Sequence, residues 1–120
     1  MARRGEEMLW FEKKRMSSYL GRRPYVSFFL SHGEKAKVLV LSENEVIESF
    51  TSEGWDIVLT PETRFIVVHR RTRSQRVIHV FQVVERIGQP DVVEVARCSS
   101  VARFREWSSQ NLGFVPSIEE

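Results

Sequence analysis

Residues 64–86 read RFIVVHRRTRSQRVIHVFQVVER. Two runs of β-branched and aromatic residues flank a short polar segment holding Arg71, Arg73 and Arg76, the pattern of a β-hairpin with a basic tip. Side chains alternate between the two faces of a strand, so the length of the turn decides which residues share a face. A two-residue turn at Arg73-Ser74 pairs Val68 with His79 and Phe65 with Gln82, mixing polar and apolar partners. A three-residue turn over Arg73, Ser74 and Gln75 pairs Val67 with Phe81, Phe65 with Val83 and His69 with His79. Like then faces like, and this second register is the preferred one. It predicts a core face of Phe65, Val67, Val77, Phe81 and Val83, and an opposite face carrying Arg64, Arg70, Arg76 and Arg86 among aliphatic residues.

The segments around the hairpin set the expected fold. Residues 6–20, EEMLWFEKKRMSSYL, have acids first, bases later and apolar residues at helical spacing, which predicts a helix ending at Gly21. PYVSFFLSHGEKAKVLVLS, residues 24–42, predicts a hairpin turning near Gly33. Ser42 stands three residues before Glu45, the spacing of a capping box, and predicts a second helix reaching Gly54. A strand over 55–60, the two strands of the basic hairpin and VVEVARC at 92–98 predict a four-strand meander. Ser99 or Ser100 then caps a third helix carrying Val101, Phe104 and Trp107. The expected class is α+β, a mainly antiparallel sheet built of an N-terminal hairpin and the meander, with about three helices packed against it. At 120 residues and 42% hydrophobic content the expectation is one domain, residues 1–120, with 1–5 and 115–120 frayed.

Charge carries the functional signal. The net value is only +2, but residues 1–23 hold seven Lys/Arg against three Glu, and residues 64–86 hold six Arg against Glu85 alone. Between these blocks, residues 34–62 are acidic, with Glu43, Glu48 and Glu53 among their carboxylates. The second basic block uses arginine alone, whose planar donor fork suits phosphate and carboxylate. Arg64, Arg70, Arg71, Arg73, Arg76 and Arg86, with Lys13, Lys14, Arg22 and Arg23 of the amino-terminal block, are therefore the expected contacts to a DNA or RNA backbone. The basic strands offer few aromatics, which disfavours single-strand stacking. The competing expectation is a protein-interaction or assembly subunit, such as a homodimer in which the basic hairpin meets the acidic segment of another copy. Trp10 is a candidate anchor for such an interface.

Enzymatic chemistry finds little support. His69, His79 and Cys98 fall near one another in the preferred register, but a row across a flat sheet offers poor tetrahedral convergence, so no metal or other cofactor is expected. His32 and Glu34 flank Gly33 as ordinary turn residues. NEVIESFTSEGWDIV, residues 44–58, resembles the opening of nuclease-like and small RNA-binding folds. That resemblance implies an Asp and then Glu-x-Lys on the following strands if magnesium were held, where this chain places arginines; it implies shape and no active site. The lone cysteine forms no intrachain disulfide, no apolar run reaches membrane-spanning length, and MARRGEEMLW turns acidic where a signal peptide would become apolar. The cytoplasm is the expected compartment, with no membrane association.

Overall fold

Strand-forming residues dominate further than helical periodicity suggests. A computed structural model of the chain describes residues 11–20, 23–30, 35–43, 45–51, 54–71, 75–87 and 89–118. They form eight strands and one helix: β1 (Phe11–Leu20), β2 (Arg23–Leu30), β3 (Lys35–Ser42), β4 (Glu45–Thr51), β5 (Trp55–Val58), β6 (Thr63–Arg71), β7 (Arg76–Arg86), β8 (Gln89–Cys98) and α1 (Val101–Asn111). A three-stranded sheet has the order β1-β2-β5, and a five-stranded sheet the order β4-β3-β6-β7-β8. Every pairing is antiparallel.

The five-stranded sheet is buried on both faces. Val38, Val40, Ile66, Val68, Phe81 and Val92 meet Val26, Phe28, Trp55 and Ile57 of the small sheet, with Phe28 and Phe81 tilted at a centroid distance of 5.4 Å. The alternate residues Leu39, Leu41, Val67, Ile78 and Val80 form a second core with Val101 and Phe104 of α1 and with Ile118. A central strand apolar at every position, such as VLVL in β3 or FIVV in β6, is what a doubly covered sheet requires. Ser100 caps α1 by accepting a hydrogen bond from the Arg103 amide at 3.1 Å, and Val101 and Phe104 are the buried ridge of the helix. The tail beyond α1 docks through Pro116 and Ile118, leaving Val115 exposed.

This architecture corrects the expected α+β class: the described residues hold one helix, and the expected helices over 6–20 and 42–54 give way to β1 and to the β3–β4 hairpin where they are described. SENE is a two-residue hairpin loop, not a capping box. Ser42 pairs with Glu45, and Glu43 takes the positive φ of 52° that such tight loops need. The expected N-terminal hairpin over 24–42 is also replaced: β2 and β3 are both strands but belong to different sheets. β5 likewise leaves the expected meander to pair with β2, so the meander keeps three strands, β6, β7 and β8. Folding two sheets face to face requires the chain to change sheets, and adjacency in sequence does not disclose where it does so.

The register of the basic hairpin is the one judged less favourable from sequence. Phe65 pairs with Gln82, Val67 with Val80, Val68 with His79 and Arg71 with Arg76. With both faces covered, matching polarity across the pair loses its force, because each face is already apolar along most of its length.

Candidate functional site

The observed register redistributes the arginines. β3 and β7 flank β6, and their rows are Lys35–Arg71–Arg76 followed by Lys37–His69–Ile78, continuing to Cys98 on β8. Directly paired residues share a face, so these rows lie on the α1 side of the sheet, at the end where the β6–β7 hairpin turns. Lys35 and Arg71 are exposed, Lys37 and Arg76 half-buried, and His69 buried at 6% exposure. The expected set Arg64, Arg70 and Arg76 does not share a face. Arg76 lies on the α1 side, Arg70 alternates onto the other, and Arg64 is the unpaired residue where the β3–β6 register shifts. Arg70 is 5% exposed beside Ala36 and Val77, in the core rather than on a surface. Arg64 is exposed at the far end of the hairpin, where its guanidinium donates to the Pro61 carbonyl at 3.5 Å, and Arg86 is exposed at that same end. Seven residues of strand at about 3.3 Å each put Arg64 roughly 23 Å from Arg71.

Lys13 and Lys14 occupy β1, opposite Phe28 and Ser27, and Arg23 starts β2 opposite Leu20. They therefore belong to the three-stranded sheet and not to the rows around His69. Arg22, Arg73, Trp10, His32 and Glu34 lie outside the described residues.

Electrostatics single out the His69 row. Burial, then Arg76, Arg71 and Lys37, lower the His69 pKa from 6.5 to about 4, so the ring is neutral at physiological pH. Its Nε2 is buried and has no hydrogen-bond partner among the described residues, and the same holds for Arg76 Nε. Arg103 of α1 adds a further positive charge near Cys98, whose thiol is pushed up by burial with Arg103 opposing. The opposite end of the sheet carries Glu43, Glu62, Glu85 and Asp91 beside Arg64 and Arg86. Among the described residues, basic groups thus collect at one end of the strands and carboxylates at the other.

A second constellation lies on the other face. His79 Nδ1 stands 2.7 Å from Glu94 Oε2, and Arg97 donates to the same carboxylate through Nε at 3.2 Å and a terminal nitrogen at 2.9 Å. In a regular strand, residues three apart point to opposite sides. The bulge opposite Val80 and Phe81 brings Glu94 and Arg97 to one side, with Val95 as the extra residue. Burial opposes ionisation of Glu94, but the bonds from His79 and Arg97 outweigh it and hold the pKa at about 2. Burial keeps His79 below its usual value despite the Glu94 bond, so the neutral ring carries its proton on Nδ1 and donates it to the carboxylate. His79 is 1% exposed and stacks on Phe81 at 6.2 Å, so this network ties β7 to β8.

His69 and His79 fall on opposite faces, and Cys98 lies opposite Ile78 rather than His79. Among the described residues no group of three His, Cys, Asp or Glu side chains could hold a metal ion, and no helix is long and apolar enough to cross a membrane. Lys35, Lys37 and Arg103 join the basic end without having been expected there. The spacing of EKAK puts both lysines on one face of a strand, but only the β3–β6 pairing, a long-range contact, brings that face to Arg71. No protein-family model, curated protein or solved structure matches the chain.

Proposed function

We propose that the protein binds the phosphate backbone of nucleic acid through the basic end of its five-stranded sheet. The observation that carries this reading is the convergence of Lys35, Lys37, Arg71 and Arg76 from three neighbouring strands around buried His69, where each charged group of the described residues that acts on the ring is a cation. A surface lined by one sign of charge raises the local concentration of the opposite ion. Two guanidinium forks beside two ammonium groups fit phosphate oxygens without a sequence motif. Phe65 and Trp107, aromatics of the same face, pack edge to face at 6.4 Å further along the sheet, which favours backbone contact over base stacking. Arg70 has no part in this surface, and Arg64 and Arg86 are too distant to join the same phosphates.

The test is the salt dependence of binding to a short DNA duplex. The triple variant Lys35→Gln/Arg71→Gln/Arg76→Gln should fold like wild type and flatten the slope of log affinity against log salt by about two to three units, roughly 0.9 for each lost contact. Arg64→Gln/Arg86→Gln should leave the slope in place. An unchanged slope in the triple variant refutes the assignment. Absence of wild-type binding at low salt, together with a change of subunit association in the triple variant, transfers these cations to protein carboxylates. The acidic far end of a second copy is then the natural partner.

A further inference from the structure

The interior position of His69 sets a property of this surface beyond its charge. The ring sits in the second row from the hairpin tip, with Lys37 on one side, Arg71 and Arg76 in the row above, and Arg103 of α1 beyond the Cys98 thiol at the end of its own row. Cys98 is an uncharged thiol at neutral pH, and the charged groups of the described residues that act on the imidazole, Lys37 of β3, Arg71 of β6 and Arg76 of β7, are all positive. Buried at 6% exposure, with Nε2 lacking a partner among the described residues, the ring is a group that an incoming acceptor would satisfy. In the free protein the surrounding cations and burial keep it neutral, with a pKa of about 4. A phosphate held by Arg71 and Arg76 offsets part of the positive field that disfavours a proton on the ring.

We propose that phosphate binding at this end of the sheet is coupled to uptake of one proton by His69, which turns the buried ring into an additional cationic donor beneath the ligand. The inference rests on the phosphate-backbone reading. The proton comes from solvent and settles on the ring nitrogen left bare in the neutral tautomer, and no covalent bond to the ligand forms. Affinity then rises on mild acidification, in a range where phosphodiesters themselves do not titrate.

If binding restores the ring to its ordinary pKa of 6.5 from about 4, the protonated fraction of the complex changes strongly between about pH 7.5 and 5.5 while that of the free protein stays small. The linked affinity gain across that interval is about tenfold. The experiment compares wild type with His69→Gln on a short DNA duplex at constant ionic strength. Wild type should tighten about tenfold on acidification and the variant less than about twofold, with both alike at about pH 7.5. In the wild type alone, the His69 ring resonances should titrate near pH 4 when free and move upward with duplex present, a readout independent of whether the variant folds. Equal tightening of both proteins, or a midpoint unmoved by saturating duplex, overturns the proton coupling while leaving the phosphate reading standing. Failure of wild type to bind at either pH at low salt overturns both.

Discussion

His69 also dictates how the fold should respond to acid. Its pKa falls from 6.5 to about 4 on folding, through burial first and then the fields of Arg76, Arg71 and Lys37. Between those values the unfolded chain binds the proton and the native state does not, so stability must fall as pH falls. Near pH 7 the group contributes nothing, because the ring is neutral in both states. At about pH 5 the linkage costs about 2 kcal/mol, and by about pH 4 it costs about 3 kcal/mol, from 2.5 units at 1.36 kcal/mol each less the protonation begun in the native state. The assay is urea unfolding of wild type and His69→Gln over this range, with the difference in unfolding free energy taken at each pH. Other groups whose pKa values shift, Glu94 and His79 among them, are common to both proteins and cancel to first order. The wild type should therefore lose about 2 kcal/mol relative to the variant between about pH 7 and 5. Arg76→Gln should raise the His69 midpoint and shrink that loss. A pH-independent difference between wild type and His69→Gln, or a His69 titration near 6.5 in the free protein, would refute both the burial and the cationic surroundings assigned to this ring.

Two further outcomes test the architecture. Phe104→Ala removes the fully buried anchor of α1 and should cost about 3 to 5 kcal/mol in denaturant unfolding; a cost near 1 kcal/mol would mean that the helix does not cover the sheet. Ile87, fully exposed at a φ of 50° in the two-residue loop between Arg86 and Gln89, is a β-branched residue in a conformation it disfavours. Ile87→Asn creates the Asn-Gly pair this loop geometry prefers and should add about 1 kcal/mol of stability by the same measurement, whereas a loss would reject the turn assignment.

What could be read from the sequence was what local chemistry decides. A cap at Ser99 or Ser100 with the Val101–Phe104 spacing predicted α1, and the structure selects Ser100; the two long apolar runs predicted β6 and β7 within a residue or two. SENE could not be read locally, because Ser-x-x-Glu suits both a helix start and a two-residue hairpin loop; the pairing of β4 on β3 decides between them. The FEKKRMSSYL run has helical spacing yet forms β1, since tertiary pairing with β2 overrides a weak local preference. The Glu94–Arg97 pair depends on a bulge, which moves one residue to the other side without a mark in composition.

The candidate site follows the same division. A one-residue difference in register moves every side chain of a strand relative to its partner, and here it separates Arg76 from Arg70 while joining it to Arg71. Arg70 becomes a core residue, so a variant neutralising it tests folding and not binding. The five described arginines of the block consequently do three different things, and the number of arginines in the sequence overstates any single interface. Arg64 and Arg86 stand at the end that holds Glu43, Glu62, Glu85 and Asp91, carboxylates that repel a backbone phosphate. On the proposed reading, a duplex lying along the strands would be drawn to one end and pushed from the other, and contact would centre on the rows where the β6–β7 hairpin turns. On the proposed phosphate reading, Lys35, Lys37, Arg71 and Arg76 limit the contacts from these rows to four, and the corresponding part of the salt slope to about 3.6. A larger measured slope would require cations outside these rows.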